Sequence, residues 1–191
     1  MPNIKLFFKY ILMVISKYEG KKLNLKSNNS LRLFFIGVGS AFSKMHFQNN
    51  LIIIKNDASI LIDCGTRTPE ALYLLNVKLP EINNYLITHS HADHIGGLEE
   101  VILMNRYVFK KKPNLIITDD YEKLLWENSL KGGCGYNENH DGQLLTLKDF
   151  FNLKRPEPIE TANRESFIID VENIHLELFR TMHIPEQSKS W

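Results

Sequence analysis

Residues 89–94 read His89-Ser90-His91-Ala92-Asp93-His94, which places four potential metal ligands within six positions. The stretch follows the apolar run Tyr85-Leu86-Ile87, which predicts a strand, and precedes a segment of helical character. Side chains two residues apart in an extended chain point the same way, so His89 and His91 can bind one ion from a strand end. Asp93 and His94 then lie on the turn into the next helix. Imidazole and carboxylate groups at this density predict a site for zinc or a similar transition metal.

The motif and two further stretches resemble the metallo-β-lactamase superfamily. The run Phe35-Ile36-Gly37-Val38-Gly39-Ser40-Ala41 is similar to the glycine turn after that family's first strand, and Leu61-Ile62-Asp63-Cys64-Gly65 is similar to its strand ending in an aspartate. Because Asp93 and His94 are both present, the chain looks closest to the ribonuclease Z-like and cyclic-nucleotide phosphodiesterase-like branch. The resemblance implies a mixed α/β (α+β) fold, the αββα sandwich, with a metal site along one edge of its two sheets.

A third ligand for the first ion must come from elsewhere in the chain, because a catalytic zinc needs three protein ligands and an open position for water. The remaining histidines that the sequence offers for this role are His46, His140, His175 and His183. The resemblance favours His183, which follows a predicted strand directly and is similar to the family's next histidine.

The resemblance also implies a role for each site residue. The implied metal ligands are His89, His91 and His183 for one ion, and Asp93 and His94 for the beginning of a second site. Asp93 is the implied catalytic residue, as a ligand of the second metal or, with a single metal, as a base or orienting group. Asp63 would support the site by hydrogen-bonding a ligand histidine. The expected cofactor is Zn²⁺, one or two ions, with Mn²⁺ or Fe as alternatives.

The C-terminal end of the chain departs from the family pattern. The family supplies an aspartate and a final histidine downstream of the ligand that His183 resembles, whereas this sequence ends at Trp191. We therefore expect a truncated chain in which the second half of the sandwich is incomplete. The corresponding hypothesis is that this polypeptide alone has weak activity, or none, and retains residual metal binding.

Short β-favouring runs between turn residues predict the strands, and helical periodicity with caps predicts the helices. The predicted strands are 31–36, 51–55, 59–63, 85–88, 114–118, 166–171 and 174–180. The predicted helices are 68–76, 98–109, 119–129 and 146–151. Thr68 caps the first of these helices, and Thr146 with Asp149 forms a capping box at the last. Residues 131–136, which include three glycines, are predicted to form a flexible loop.

Residues 1–30 form a separate N-terminal segment before the metallo-β-lactamase-like domain at 31–191. Apolar residues recur at the helical spacing, which predicts a basic amphipathic helix. They are Ile4, Phe7, Phe8, Ile11, Leu12 and Ile15. Packing on the domain or self-association as a homodimer is the favoured role, and weak contact with a membrane surface is the alternative. Residues 19–30, rich in lysine, asparagine and serine, predict a linker. The segment lacks a clear cleavage site, so the expected location is cytoplasmic, with an atypical signal peptide as the alternative.

The charge distribution bears on the substrate. The net charge of +1 divides into +5 over residues 1–26 and −4 over the remainder. A mildly acidic body lacks the broad basic surface expected of a protein that binds long nucleic acids. The exception is Lys110-Lys111-Lys112, which is typical of a solvated helix end. The two cysteines provide no disulfide framework and fit a reducing compartment.

These observations lead to a ranked set of functions. The first is a metal-dependent hydrolase that uses a zinc-activated water on a phosphodiester, either a cyclic nucleotide or an RNA end. The second is a hydrolase of a carboxylic or sulfate ester, a thioester or a lactone, since the metal ligands do not discriminate these substrates. The third is an inactive fragment that only binds metal. A small-molecule or short phosphodiester substrate is the expected partner.

Overall fold

The computed structural model describes residues 4–8, 11–15, 20, 22–137, 143–160 and 163–181. Its strands are β1 (Ile4–Phe8), β2 (Ile11–Ile15), β3 (Leu31–Phe35), β4 (Leu51–Lys55), β5 (Ala58–Ile62), β6 (Asn84–Leu86), β7 (Asn114–Ile116), β8 (Asn152–Lys154), β9 (Glu157–Pro158), β10 (Ser166–Val171) and β11 (Ile174–Phe179). Its α-helices are α1 (Thr68–Leu74), α2 (Ala92–Ile95), α3 (Leu98–Leu103), α4 (Asp119–Leu125), α5 (Lys131–Cys134) and α6 (Leu147–Phe150). A 3₁₀ turn spans Leu79–Glu81, and the π-helical stretches Met104–Phe109 and Trp126–Leu130 extend α3 and α4. Over these ranges no helix has the length and apolar character needed to cross a membrane.

A six-stranded sheet in the order β3-β4-β5-β6-β7-β8 organises the domain. β3, β4 and β5 pair antiparallel, and β5 to β8 run parallel. The turn from β4 into β5 contains Asn56 at φ 53°, a left-handed conformation that asparagine tolerates. Parallel strands share a direction, so the segments that follow β5, β6 and β7 meet at one edge of the sheet. The segment that joins β3 to β4 lies at the same edge, because both pairings of β4 are antiparallel.

The two faces of this sheet are buried by different partners, because side chains alternate along each strand. On one face, Leu61, Tyr85 and Leu115 belong to a large core with helices α1, α3, α4 and α6. On the opposite face, Ile60 and Leu86 belong to a second core with the hairpin β10–β11. That hairpin and β9 form a three-stranded sheet in the order β11-β10-β9. The layers therefore run helices, sheet, sheet, as a mixed α/β sandwich requires.

The N-terminal segment differs from the predicted helix and linker. β1 and β2 pair antiparallel with a register from Ile4↔Ile15 to Phe8↔Ile11, so the helix prediction is wrong. Periodicity alone cannot assign a short apolar run, and the β-branched and aromatic residues here favour strands. The predicted linker is also wrong over its described part. Leu23 is 2% exposed and belongs to the large core, and residues 22–30 therefore pack on the domain.

The capping box predicted at the start of α6 is confirmed. The Asp149 carboxylate accepts hydrogen bonds from the Thr146 N–H at 2.7 Å and from its hydroxyl at 2.8 Å. Burial alone would raise the pKa of Asp149. The hydrogen bonds from Thr146 and the charges of Arg106 and Lys112 outweigh burial and lower this pKa. The ionised carboxylate therefore stabilises the start of α6.

Two further local predictions are corrected. The glycine-rich stretch 131–136 contains α5, which continues the preceding π-helical stretch. Gly133 of α5 lies next to the flexible carboxylate end of Glu99 on α3. Helix α1 begins at Thr68, its N-cap is Arg67, and no side chain caps it. Thr68 is therefore the first residue of the helix and not its cap, and its hydroxyl donates to the side-chain oxygen of Asn50.

Candidate metal centre

The ligand motif lies at the carboxyl edge of the central sheet, held between two strand ends. Residues 87–91 leave β6, and Asp93 and His94 lie in the short helix α2. The segment after β5 fixes that helix, because the Cys64 N–H donates to the carbonyl of His94 at 2.7 Å and the Gly97 N–H donates to that of Cys64 at 2.9 Å. The Asp63 N–H donates to the carbonyl of Leu86 at 2.8 Å. Main-chain hydrogen bonds therefore set the position of the motif.

His89 and His91 bring two ring nitrogens together. His89 Nε2 lies 3.0 Å from His91 Nδ1, and the ring centroids are 4.7 Å apart. Two nitrogens on one tetrahedral zinc, each about 2.05 Å from the metal, are separated by about 3.3 Å. The observed spacing is close to that value, and His89 is 7% exposed. This pair of donors fits a shared ion.

Asp93 and His94 form a second pair beside the first. The His94 Nε2 lies 3.3 Å from Asp93 Oδ2. The His94 ring lies 4.0 Å from the His89 ring, measured between centroids. Four donor groups thus share one edge of the sheet as two adjacent pairs. In the described parts of the chain, however, no group of three or more His, Cys, Asp or Glu side chains could hold an ion by itself.

Asp63 contacts His94 of the second pair directly and is linked to His89 of the first pair through Thr88. It has a left-handed φ of 63° directly after β5. Its buried carboxylate accepts hydrogen bonds from the Thr88 N–H at 2.8 Å and from the Thr88 hydroxyl at 2.9 Å. Asp63 Oδ2 lies 2.6 Å from His94 Nδ1. Asp63 therefore hydrogen-bonds His94, and the role of this contact in metal binding stays a prediction.

This network selects a ring tautomer at both His94 and His89. An ionised carboxylate only accepts hydrogen bonds, so the His94 Nδ1 carries a proton that it donates to Asp63. The single hydroxyl proton of Thr88 goes to Asp63, so the Thr88 oxygen, 2.9 Å from His89 Nδ1, accepts from that nitrogen. The Nε2 of His89 then accepts a hydrogen bond from His91 Nδ1, 3.0 Å away. A shared ion would replace the proton between these two nitrogens, and imidazole and carboxylate groups are the ligands that a transition metal prefers.

The protonation of His94 responds to the same neighbours. Burial alone would lower the pKa of His94. The hydrogen bond and charge of Asp63, together with the charge of Asp93, outweigh burial and raise this pKa. The two carboxylates therefore favour the protonated form of the His94 ring.

Asn50 and Gly65 contact the main chain of the metal motif at Asp93 or pack closely against it. The sequence did not predict these roles, nor the hydrogen bonds of Thr88 to Asp63 and His89. The Asn50 side-chain amide donates to the carbonyl of Asp93 at 3.1 Å, and its oxygen accepts from the Gly65 N–H at 2.9 Å. A Cβ on Gly65 would lie 2.2 Å from the Asp93 carbonyl oxygen, so only glycine permits this approach. Asn50 is 43 residues from Asp93 in sequence, and no local pattern signals that contact.

The remaining histidine candidates lie elsewhere. His183, the predicted third ligand, and His140 are outside the described residues. His175 is an exposed residue of β11, and its Nδ1 lies 2.7 Å from Asp170. His46 is exposed in the segment between β3 and β4, where its N–H donates to the Ser43 hydroxyl at 3.1 Å.

Comparison with known proteins identifies the family. The family model described as "Anti-Pycsar protein Apyc1" matches residues 31–191. The chain belongs to this family. It is 40% identical over 159 residues to the Anti-Pycsar protein Apyc1 of Paenibacillus sp. (strain J14), a match that covers 82% of this chain and 60% of the relative. It is 38% identical over 158 residues to the protein of that name from Bacillus phage BSP38, with the same coverage of both chains. The chain thus spans about three fifths of the length of these relatives.

Solved structures confirm the fold of this family member. Human tRNase Z, short form, matches with a TM-score of 0.55 and 20% identity, covering 82% of this chain and 62% of that one. The metallo-β-lactamase fold protein YhfI from Bacillus subtilis matches with a TM-score of 0.52 and 15% identity, covering 78% and 57%. The predicted metallo-β-lactamase fold is therefore confirmed.

Proposed function

We propose that this chain carries the metal-binding half of a hydrolase that cleaves the phosphodiester of a small cyclic nucleotide, with zinc as its metal. The observation that carries the proposal is the convergence of His89, His91, Asp93 and His94 at one sheet edge, where Asp63 hydrogen-bonds His94. Family membership and the metallo-β-lactamase fold support the reaction class. The metal, the substrate and the roles of individual residues belong to the proposal.

In this proposal each donor pair takes one ion. His89 and His91 hold the first, with His183 as third ligand, and Asp93 and His94 hold the second. Bound metal would supply a water that ionises near neutral pH and positive charge beside the attacked phosphate. Asp63 keeps His94 in its binding tautomer throughout. The Asp93 carboxylate, partly accessible at the sheet edge, can accept a proton from a neighbouring water or orient that water.

Charge supports a small substrate over a long nucleic acid. The chain after residue 26 has a net charge of −4, which disfavours extended contact with a phosphate backbone. A cyclic nucleotide carries a single phosphodiester, which the metal ions can neutralise without an extended basic surface. Cyclic nucleotides are therefore our first choice, ahead of an RNA end.

The test is metal-dependent turnover by the purified chain. The protein, loaded with Zn²⁺ or Mn²⁺, is assayed against purine and pyrimidine 3′,5′-cyclic nucleotides, bis(p-nitrophenyl) phosphate and p-nitrophenyl acetate. We expect phosphodiester hydrolysis that His89→Ala and Asp93→Ala abolish. The matched control His175→Ala, an exposed histidine on β11, should keep full activity.

The other outcomes identify the alternatives. Hydrolysis of the acetate ester without the phosphodiesters would replace the proposal with an esterase. Stoichiometric zinc binding without turnover of any substrate would show that the chain alone is a metal-binding fragment.

A further inference from the structure

We propose that the segment between β3 and β4, residues 36–50, forms an apolar wall that binds the base of the substrate. We call it the Phe42 loop. The inference rests on the proposed function, because it assigns a nucleobase to the substrate class. The Phe42 loop lies at the same sheet edge as the metal motif, since β3 ends and β4 begins where β5 and β6 lead into Asp63 and His89.

The root of the Phe42 loop is tied directly to the metal motif. Asn50 donates from its side-chain amide to the Asp93 carbonyl at 3.1 Å. Gln48, 8% exposed, donates to the carbonyl of Ala41 at 3.2 Å and accepts from the Arg67 N–H at 3.2 Å. Ala41 immediately precedes Phe42. The tip of the loop is therefore joined to the segments that carry the ligands through two buried amide side chains.

The Phe42 loop has a defined conformation. The Gly39 N–H donates to the Phe47 carbonyl at 2.8 Å, and the Asn49 N–H donates back to the Gly39 carbonyl at 3.1 Å. A Cβ on Gly37 would lie 2.2 Å from the Phe47 carbonyl oxygen, so the two arms of the loop cross in close contact. The Arg67 guanidinium lies 4.4 Å from the centroid of the Phe47 ring and covers it. A loop held in this way can present side chains to a ligand at low entropic cost.

Its tip presents large apolar side chains to solvent. Phe42 is 87% exposed, Met45 is 86% exposed and Val38 is 73% exposed. None of the three belongs to either core, and several large apolar side chains exposed on one short loop indicate a binding surface. The metal edge already offers groups for the phosphate, so the part of a nucleotide that remains to be bound is its flat, apolar base. An aromatic ring and a polarisable thioether suit such a face, and base stacking tolerates different bases.

The test compares ligands with and without a base. The zinc-loaded chain is titrated with adenosine 5′-monophosphate and with ribose 5-phosphate by isothermal calorimetry. Stacking on one aromatic residue corresponds to an affinity difference of about 5- to 150-fold. We expect the wild type to prefer the nucleotide by a factor in this range and Phe42→Ala to remove most of the preference. Phe42→Trp, which keeps a ring, should restore it.

The matched control is Tyr73→Ala, which removes another aromatic side chain that is 79% exposed, near the end of α1 away from the metal edge. It should leave both affinities unchanged. Equal binding of the two ligands by the wild type, or a base preference unchanged in Phe42→Ala, would overturn the inference. A smaller mass for Phe42→Ala in light scattering, with an unchanged base preference, would assign the loop to self-association instead.

Different results would refute the proposed function and the base-binding role of the Phe42 loop. If cyclic nucleotides bind with a preference that depends on Phe42 but are not hydrolysed, the base wall stands and the phosphodiesterase proposal falls. If cyclic nucleotides are hydrolysed and Phe42→Ala leaves their KM unchanged, the phosphodiesterase proposal stands and the base wall falls.

Discussion

Replacing Asp63 by asparagine should weaken zinc binding by about 10- to 100-fold. The change affects Asp63 Oδ2, which contacts His94 and accepts from the Thr88 hydroxyl; that hydroxyl can donate instead to Oδ1, 3.0 Å away. The asparagine side chain would keep an oxygen that can accept from the Thr88 N–H, now 2.8 Å from Asp63 Oδ1. An amide NH₂ would replace the oxygen that lies 2.6 Å from His94 Nδ1, and NH₂ cannot accept a hydrogen bond. The predicted loss, about 1.4 to 2.7 kcal/mol, matches one hydrogen bond to a charged group.

Asparagine is the substitution that isolates this contact. Asp63 has φ 63°, and asparagine tolerates that left-handed conformation, whereas alanine would add backbone strain of about 1 to 2 kcal/mol. The apo protein should therefore remain folded, which the circular dichroism spectrum checks. Asp57→Asn is the matched control, because Asp57 is exposed and its ion pair with Lys26 lies outside the site.

The assay is competition for Zn²⁺ between the apo protein and a chromogenic chelator at pH 7. We expect the control to bind zinc like the wild type and Asp63→Asn to bind more weakly. Affinity equal to the wild type in Asp63→Asn, with the protein folded, would refute the argument that Asp63 orients a ligand histidine.

Three further predictions concern stability, measured by urea denaturation. Gly65→Ala should destabilise the fold by about 1 to 3 kcal/mol because the added Cβ would lie 2.2 Å from the Asp93 carbonyl oxygen. At Gly132 an added Cβ would have no atom within 4 Å, so Gly132→Ala should stabilise the fold by about 0.5 to 1 kcal/mol. Similar effects at both glycines would contradict the close approach at the metal motif. Leu23→Ala should cost about 2 to 5 kcal/mol because the side chain is buried in the large core, and a negligible cost would restore the linker interpretation of residues 19–30. Asp149→Asn should cost about 1 kcal/mol at pH 7. Because the folded pKa of Asp149 is lowered, that stabilisation is complete above the pKa of the unfolded chain and is lost as the pH falls through the folded value. A cost that persists at low pH would contradict this account.

The features predicted correctly from the sequence are those encoded locally. The β-favouring runs and turn residues of 51–63 were sufficient to predict strands β4 and β5, and the spacing of Thr146 and Asp149 was sufficient for the capping box. The four potential ligands within six residues are likewise visible without knowledge of the fold, and their binding of a metal stays a prediction.

The features that sequence reasoning missed depend on contacts between distant segments. β8 has only three residues and forms by pairing parallel to β7, about 40 positions earlier. Asn50 has no signature of its own, and its role exists only because β4 begins at the edge where Asp93 is held. The helix prediction for the N-terminal segment is wrong for a different reason. An apolar run that follows a helical spacing can also pair as strands.

The residues that orient the metal motif lie in a different part of the chain from His183, which would add to the affinity for zinc. The hydrogen bonds through which Asn50, Asp63 and Thr88 orient the motif all lie within residues 48–97. A third ligand at His183 would therefore add a bond to the ion without being needed to position the other donors. His183→Ala should lower zinc affinity in the chelator assay while the thermal midpoint of the metal-free protein stays unchanged. Unchanged zinc affinity would remove His183 from the ligand set, and a lower midpoint of the metal-free protein would show that the C-terminal segment helps to position the site.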